Sequence, residues 1–402
     1  MLKKTLGLLS VLLIVLGVFA LPLSAQDEQR WDGADDLEVN PLDCATGEGD
    51  EAAEGGEAEP AATEEAEGAE AAPAMEYDGG QPTDPPDLAG QPITVVDVPK
   101  LIGIGYFAAT AQGMQEAAAE LGNVTVTTDA PTEANIDEQI TFIDNYITQG
   151  VDGILFAAND PVAIAPVLRR ALEQGIHVIG YDANSIPEAR EWFVNQAEFN
   201  GIAKSLIDNM VAEIGEDGSF GIVTSTFTTP NQARWIAEMW AYTTKCYPNL
   251  TWLETVEAQE DNILSFNQAT TLINKYGEEL DGIFGMTSVA TPASAEAVTQ
   301  AGLCPGQADE EAAVHVVGLA TPNAMRPYVE SGCVRSVVLW NPIDLGYAAV
   351  YVMRAVVDGE LQPGDTSVEA GRLGTLQVVN GSEILLGPPF VYNLENIDEF
   401  DF

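Results

Sequence analysis

The chain contains, from residue 153 to residue 182, the sequence GILFAANDPVAIAPVLRRALEQGIHVIGYD. It begins with a short apolar run, continues with apolar residues at helical spacing, and passes Gly175 into a second apolar run. Strands that are apolar throughout are typical of parallel sheets covered by helices on both faces. The stretch therefore predicts a βαβ unit, in which Asp160 lies beyond the end of the first strand and Asp182 directly follows the second.

The same alternation continues on both sides of this unit. We predict strands at 93–98, 124–128, 153–157, 177–181, 219–225, 251–256, 282–286 and 314–319, and helices at 106–121, 136–149, 162–174, 200–214, 231–244, 265–276 and 293–300. The pattern restarts after Asn195, which indicates two similar α/β units. A single barrel is the alternative, but it needs eight uninterrupted βα units.

The composition excludes several classes of protein. The 402 residues include 63 acidic and 15 basic ones, a net charge of −48, which excludes a nucleic-acid binder and argues against docking on anionic lipids. The sequence has no phosphate-binding loop, complete dinucleotide motif or serine nucleophile motif. His177 and His315 lie at strand starts and are interpreted as structural. We therefore predict no metal, no cofactor and no catalysis.

The first 91 residues differ from the rest. Two lysines precede a mostly apolar run, which predicts a signal peptide over 1–25, with an uncleaved membrane anchor as the alternative. Gln26 stands where a lipid-bearing cysteine would be. Residues 26–91 hold 21 acidic residues and one arginine, without a periodic apolar face. They are interpreted as a disordered acidic linker, with weak cation binding as the alternative. We expect a periplasmic or extracellular protein.

Export permits disulfides, and the four cysteines allow three pairings. They are Cys44, Cys246, Cys304 and Cys333. We favour the pair Cys304–Cys333, because both residues border predicted strands and could lie at the same edge of their sheets.

Polar and aromatic side chains follow the predicted strands where each strand ends. Because ligands bind beyond the carboxyl ends of parallel strands, these side chains are candidate ligand-binding residues. They are Lys100, Phe107, Asp160, Asp182, Asn184, Asn231, Gln232, Ser288, Trp340 and Asn341. Carboxylates and amides bind hydroxyl groups, and rings stack on the apolar face of a sugar, so the set favours a polyhydroxylated ligand. Asp160 and Asn231 could equally be helix caps.

Several stretches resemble known proteins. Residues 98–103, 131–133 and 157–161 resemble the ribose-type sugar-binding proteins of bacterial ABC importers. Residues 321–329 are similar to the autoinducer-2-binding branch, and residues 339–347 and 386–398 to the rhamnose-binding branch. The resemblance covers residues 92–402.

The resemblance implies a type I periplasmic binding protein fold, in which two lobes with doubly wound parallel sheets are joined by a three-strand hinge. Residues 92–197 plus 321–341 would form the N-terminal lobe, and 198–320 plus 342–402 the C-terminal lobe. The lobes would close on a small sugar and present it to a membrane permease. We expect a monomer.

The resemblance also bears on the ligand. The autoinducer-2 branch binds through a lysine, an aspartate, an Asp-Gln pair and a Pro-x-Ala segment. Lys100 and Asp182 match the first two, whereas Asn231 replaces the aspartate of the pair and residues 286–288 do not match the segment. A rhamnose-like deoxyhexose is therefore favoured. Autoinducer-2 and a role as a sugar-sensing receptor ectodomain are the alternatives, and a secreted enzyme would lack a nucleophile and base.

Overall fold

The computed structural model describes residues 37, 39–44, 76–308 and 312–402. The predicted signal peptide and most of the acidic linker lie outside the described residues. Within these ranges, no helix is long and apolar enough to cross a membrane.

Strands and helices alternate through most of the described chain. The strands are β1 (Ile93–Val98), β2 (Val124–Thr128), β3 (Gly153–Phe156), β4 (His177–Tyr181), β5 (Trp192–Asn195), β6 (Ser219–Thr224), β7 (Thr251–Glu257), β8 (Gly282–Gly285), β9 (His315–Gly318), β10 (Ser336–Leu339), β11 (Ser367–Glu369), β12 (Thr375–Val379), β13 (Glu383–Leu385) and β14 (Phe390–Asn393). The helices are α1 (Gly105–Leu121), α2 (Ile136–Gln149), α3 (Ala165–Glu173), α4 (Phe199–Ile214), α5 (Pro230–Cys246), α6 (Asn262–Tyr276), α7 (Ala290–Ala301), α8 (Pro322–Glu330) and α9 (Pro342–Val357).

Two sheets define two lobes. The first sheet has the order β11-β12-β13-β5-β4-β3-β1-β2, with β1 to β5 and β13 parallel and β11 and β12 antiparallel. The second has the order β7-β6-β8-β9, all parallel, and a bridge between Leu319 and Val338 adds β10, which pairs with β14. Both lobes thus repeat one doubly wound order, and the carboxyl ends of β1, β3, β6 and β8 mark its switch points.

Within residues 76–308 and 312–402, the chain crosses between the lobes three times. The crossings are residues 196–198 between β5 and α4, residues 340–341 between β10 and α9, and residues 386–389 between β13 and β14. Three crossings confirm the predicted architecture of two lobes joined by a three-strand hinge.

Two segments lie on the other lobe from the one expected. Residues 321–341 continue the second lobe, because α8 packs on α7 and β10 lies beside β9. Residues 342–385 belong to the first lobe, because α9 packs on α1 and β13 pairs with β5. The sequence-based assignment of these segments was wrong. Short loops connect β9, α8 and β10 within the second lobe, and the chain crosses to the first lobe at residues 340–341.

Helices α1 and α9 approach closely on one face of the first sheet. A Cβ atom on Gly346 would collide with the carbonyl oxygen of Thr110, and one on Gly113 would collide with the carbonyl of Ile343. The two backbones touch because both positions lack a side chain. This contact fixes α9, and with it β11 to β13, on the first lobe.

Residues 76–91, which the sequence placed in a disordered linker, bind the first lobe. The ring of Tyr77 packs against that of Trp192 with centroids 5.0 Å apart, and its hydroxyl donates to the carbonyl of Glu191 over 2.9 Å. The segment has no regular secondary structure and is held by backbone groups, by the Tyr77 ring, by a hydrogen bond from Ser382 to the Asp78 carboxylate and by packing of Leu88. It therefore gives no periodic apolar signal, and the linker interpretation is corrected for residues 76–91.

Residues 39–44 bind the second lobe. The Asn40 amide donates to both carboxylate oxygens of the buried Glu238 on α5, over 3.1 and 3.0 Å. Cys44 forms a disulfide with Cys246 at the end of α5. The linker interpretation is therefore also corrected for residues 39–44, and the chain contacts the second lobe before it reaches the first.

The second disulfide joins Cys304 and Cys333, which confirms the predicted pair. It links the turn after α7 to the turn after α8. Every described cysteine is therefore paired.

Candidate ligand-binding site

A cavity lies between the lobes at the carboxyl ends of the strands and contains about 330 Å³ of empty space, part of it open to solvent. The first lobe and the second crossing provide charged and aromatic groups, and the second lobe provides amides, one carboxylate and a tryptophan. The lining residues are Lys100, Ile104, Tyr106, Phe107, Asp182, Asn231, Gln232, Trp235, Glu260, Met286, Thr287, Ser288, Leu319, Leu339 and Trp340.

One lysine stands between two carboxylates from opposite lobes. Lys100 follows β1, and its Nζ lies 3.5 Å from Oδ2 of Asp182, which follows β4. The same Nζ lies 3.4 Å from Oε1 of Glu260, in the loop after β7. The three residues are 5%, 2% and 7% exposed, so their charges interact with little screening by water.

The pKa values of these groups reflect that burial. Desolvation opposes the Lys100 ammonium, but Asp182 and Glu260 outweigh it and raise the pKa of Lys100. Burial raises the pKa of Asp182. The charge of Lys100 and a hydrogen bond from Tyr106 lower this pKa and partly offset the effect of burial. Lys100 is therefore charged at neutral pH.

Aromatic side chains form one wall and hold the aspartate. The Tyr106 hydroxyl donates to Oδ1 of Asp182 over 2.9 Å, and Nε1 of Trp340 donates to the Tyr106 oxygen over 2.9 Å. The rings of Tyr106 and Phe107 meet edge to face with centroids 5.1 Å apart, and Trp235 lies 5.6 Å from Trp340. Such a wall suits the apolar face of a sugar ring.

Amides at the start of α5 complete the second side. Nδ2 of Asn231 lies 3.3 Å from Oδ1 of Asp182, across the lobes. Oε1 of Gln232 accepts from the Thr224 hydroxyl over 2.7 Å and from the Ser225 amide over 2.8 Å at the end of β6. Its Nε2 therefore faces Glu260, 3.3 Å from Oε1.

Two buried polar atoms of the lining have no hydrogen-bond partner among the described residues. They are Oδ2 of Asp182, an acceptor that lies 3.5 Å from Nζ of Lys100 in an ion pair, and Nε1 of Trp235, a donor. Buried polar groups are normally paired, so the site matches a ligand that both donates and accepts hydrogen bonds. A hydroxyl group does both.

Seven of the ten residues singled out in the sequence line this cavity. They are Lys100, Phe107, Asp182, Asn231, Gln232, Ser288 and Trp340. The carboxyl ends of parallel strands meet at one edge of each sheet, which brings these residues together.

The other three lie outside the cavity lining and serve local structure. Asp160 accepts from the amides of Val162 and Ala163. Asn341 caps α9, and Asn184 accepts from Nε of Arg190 over 3.1 Å. Short polar side chains after strands bind nearby backbone amides, so strand-end position alone does not separate caps from ligand contacts.

The sequence missed Tyr106, Trp235 and Glu260. Tyr106 directly precedes the predicted Phe107, and Trp235 lies one helical turn beyond Asn231, so both had a nearby signal. Glu260 stood in an acidic stretch of an acidic chain and gave none.

Both histidines contact glutamates away from the cavity. Nδ1 of His177 lies 3.0 Å from Glu191, and Nδ1 of His315 lies 2.8 Å from Glu213. In the described ranges no group of three or more His, Cys, Asp or Glu residues could hold a metal ion.

Comparison with known proteins agrees with this architecture. A family model described as a periplasmic binding protein domain matches residues 95–361. The ABC transporter periplasmic-binding protein YphF of Escherichia coli (strain K12) is 32% identical over 78 residues, which is 19% of this chain. That alignment spans about a quarter of the relative, 24% of its length.

Solved structures share the fold over most of the chain. A sugar ABC transporter from Actinomyces odontolyticus is 29% identical, with a TM-score of 0.62, over 81% of this chain and 100% of that one. A solute-binding protein from Clostridium phytofermentas with bound L-rhamnose is 29% identical, with a TM-score of 0.69, over 77% and 98%.

A third structure, LsrB from Clostridium saccharobutylicum in complex with AI-2, has a TM-score of 0.71 over 77% of this chain and 100% of that one. At 22% identity it supports the fold alone. Together with the family match, these structures confirm the type I fold. The chain belongs to the periplasmic binding protein domain family.

Proposed function

We propose that the protein captures a small sugar outside the cytoplasm by hinge closure and delivers it to the permease of an ABC importer. The supporting observation is that polar groups of the cavity come from both lobes. Lys100 and Asp182 belong to the first lobe, Asn231 and Glu260 to the second. A ligand that contacts both sets favours the closed form over the open one, because only the closed form makes both sets of contacts.

The cavity chemistry favours a sugar over other small solutes. Trp235 and Trp340 provide flat apolar surface, and the buried indole N–H of Trp235 has no hydrogen-bond partner among the described residues. Asp182 provides a buried carboxylate that accepts hydrogen bonds. Hydroxyl groups and an apolar ring face complement these features. This is binding chemistry, so we propose a carrier and not an enzyme.

Among sugars, we favour a rhamnose-like deoxyhexose. Ile104, Met286 and Leu339 line part of the cavity, which suits a methyl group. The L-rhamnose-bound relative is also one of the more similar in sequence. Autoinducer-2 is the second candidate, because Lys100 and Asp182 match that branch, although Asn231 departs from it.

We propose an extracytoplasmic location. The predicted signal peptide at 1–25 and the two disulfides, Cys44–Cys246 and Cys304–Cys333, support it, because disulfides persist in oxidising compartments.

Thermal melting of the chain from residue 39 onward, with and without sugars, tests the proposal. The panel is L-rhamnose, D-fucose, D-arabinose and autoinducer-2, with glycerol as the control. A ligand at about a thousand times its dissociation constant adds roughly 4 kcal/mol of stability. A rise with L-rhamnose alone would support the favoured ligand, and a rise with autoinducer-2 alone the second candidate. No rise with any of the four would contradict sugar capture.

A further inference from the structure

Glu260 occupies a loop that the second lobe holds firmly. The loop follows β7, and the Ala258 amide donates to the carbonyl of Thr224 over 2.8 Å while the Gln259 amide donates to that of Ser225 over 2.9 Å. Asp261 then caps α6 through the Leu264 amide over 2.7 Å. The loop is therefore tied to the end of β6 on one side and to α6 on the other.

The backbone at Glu260 is strained. Gln259 and Glu260 have φ values of 53° and 56°, in the left-handed region, although neither is glycine. This conformation is unfavourable for residues that have a side chain and persists where the surroundings impose it, commonly at binding sites. Asp182, on the opposite lobe, has the same property, with φ of 58°.

The contacts of Glu260 cross the cleft. Oε1 lies 3.4 Å from Nζ of Lys100 and accepts from Nε2 of Gln232 over 3.3 Å. Charge-assisted hydrogen bonds of this kind are typically about 2.7–2.9 Å long. Both contacts of Lys100 are longer, so neither carboxylate makes a short hydrogen bond to its ammonium group. Among the described residues that line the cavity, Glu260 is the only carboxylate of the second lobe.

The charges of the lining therefore do not balance. Asp182 and Glu260 carry two negative charges, and Lys100 carries one positive charge. The three groups are buried, so an anionic ligand would meet uncompensated repulsion with little screening. Hydroxyl groups can donate to the carboxylates and accept from Lys100 and from the indole N–H of Trp235.

We propose that Glu260 contacts the ligand directly and makes the site selective for uncharged sugars over sugar acids. This rests on the proposed function in sugar capture. Glu260 accepts a hydroxyl hydrogen bond from the second-lobe side, opposite Asp182, and its charge repels a ligand carboxylate.

The experiment compares isothermal titrations of the unchanged chain, Glu260→Gln and Glu254→Gln. The probes are L-rhamnose, D-fucose, D-galactose and D-galacturonate; the last two differ in a hydroxymethyl against a carboxylate group. Glutamine keeps the size of Glu260 and removes its charge. Glu254 lies on the same strand, β7, pairs with Lys275 over 2.7 Å and is not part of the cavity lining, so it is the matched control.

We expect the unchanged chain to bind at least one uncharged probe and to bind D-galacturonate at least 10-fold more weakly than D-galactose. Glu260→Gln should weaken the uncharged sugar by about 10- to 100-fold, the loss of one hydrogen bond to a charged group. It should also bring the dissociation constant of D-galacturonate closer to that of D-galactose. Glu254→Gln should change neither quantity.

Two results would separate the possible failures. If the uncharged sugars bind Glu260→Gln as tightly as the unchanged chain, or if D-galacturonate binds the unchanged chain as tightly as D-galactose, this proposal is wrong while sugar capture stands. If neither these probes nor the D-arabinose and autoinducer-2 of the melting panel bind the unchanged chain, sugar capture fails and this proposal fails with it.

Discussion

Tyr106 donates its hydroxyl hydrogen to Oδ1 of Asp182 over 2.9 Å while its oxygen accepts from Nε1 of Trp340. Tyr106 lies in the first turn of α1, Asp182 directly follows β4, and Trp340 lies on a crossing between the lobes. One phenol therefore joins the Asp182 carboxylate in the cavity lining to a crossing between the lobes. Tyr106 should therefore affect ligand affinity by orienting Asp182.

Tyr106→Phe should weaken ligand binding by about 10-fold or more. It removes a hydrogen bond to a buried carboxylate, of roughly 1.5–3 kcal/mol, and leaves the Trp340 indole without its acceptor. Calorimetric titration at pH 7 measures the loss. Tyr146→Phe is the control, because Tyr146 donates to Asp129 over 2.8 Å and is not part of the cavity lining. Equal affinities for all three proteins would contradict the role of Tyr106.

Asp182→Ala should cost roughly 2–5 kcal/mol of affinity, because it removes a buried partner of Lys100 and of the ligand. Asp160→Ala, at a strand end on the same lobe, should leave affinity unchanged and lower stability by about 1 kcal/mol, because Asp160 caps its own loop. Titration and urea unfolding of both variants separate the two roles. A loss of affinity in Asp160→Ala would show that Asp160 contributes to ligand binding and is not only a cap.

Asp97 should make stability depend on pH. This fully buried residue of β1 accepts from Tyr181 over 2.9 Å and from Thr128 over 3.0 Å. Burial raises the pKa of its carboxyl from 3.8 to about 7. The folded protein therefore binds the proton more tightly than the unfolded chain. The bound proton therefore contributes up to about 4 kcal/mol to the free energy of unfolding. This contribution is complete below pH 4 and is lost as the pH rises through 7.

Urea unfolding of the unchanged chain and of Asp97→Asn at pH 4.5 and pH 8 checks this. Asparagine stays neutral, so the variant should gain stability relative to the unchanged chain as the pH rises. A constant difference between the two proteins at both pH values would show that Asp97 does not titrate in this range.

Gly346→Ala should destabilise the first lobe by about 1–3 kcal/mol, because the new Cβ collides with the carbonyl of Thr110 where α1 and α9 touch. Gly201→Ala on α4 is the matched control. Its Cβ would lie 3.8 Å from the nearest atom, so alanine should stabilise that helix by about 0.5–1 kcal/mol. Thermal melting of both variants should show shifts of opposite sign. Equal shifts would contradict the close packing of α1 and α9.

Much of the secondary structure could be predicted from the sequence. The predicted strands at 93–98, 124–128 and 177–181 and the helix at 136–149 agree with β1, β2, β4 and α2. Each is bounded by a glycine or a polar turn and has one clear period, so neighbouring residues decide its structure. Strand β5 was missed, because its four residues follow a turn without a helix before them.

The sequence alone determined the fold class, the edge of the sheets where the site lies, and the lysine and aspartate that follow the first and fourth strands. Those properties depend on local periodicity and on the rule that parallel strands end together. Only the tertiary structure decided which lobe takes residues 321–341 and 342–385, because that depends on contacts between helices far apart in the chain. Only the tertiary structure placed Glu260 opposite Lys100. The sequence around Glu260 is acidic throughout, and nothing in it indicates that folding buries this one carboxylate beside a lysine 160 residues away.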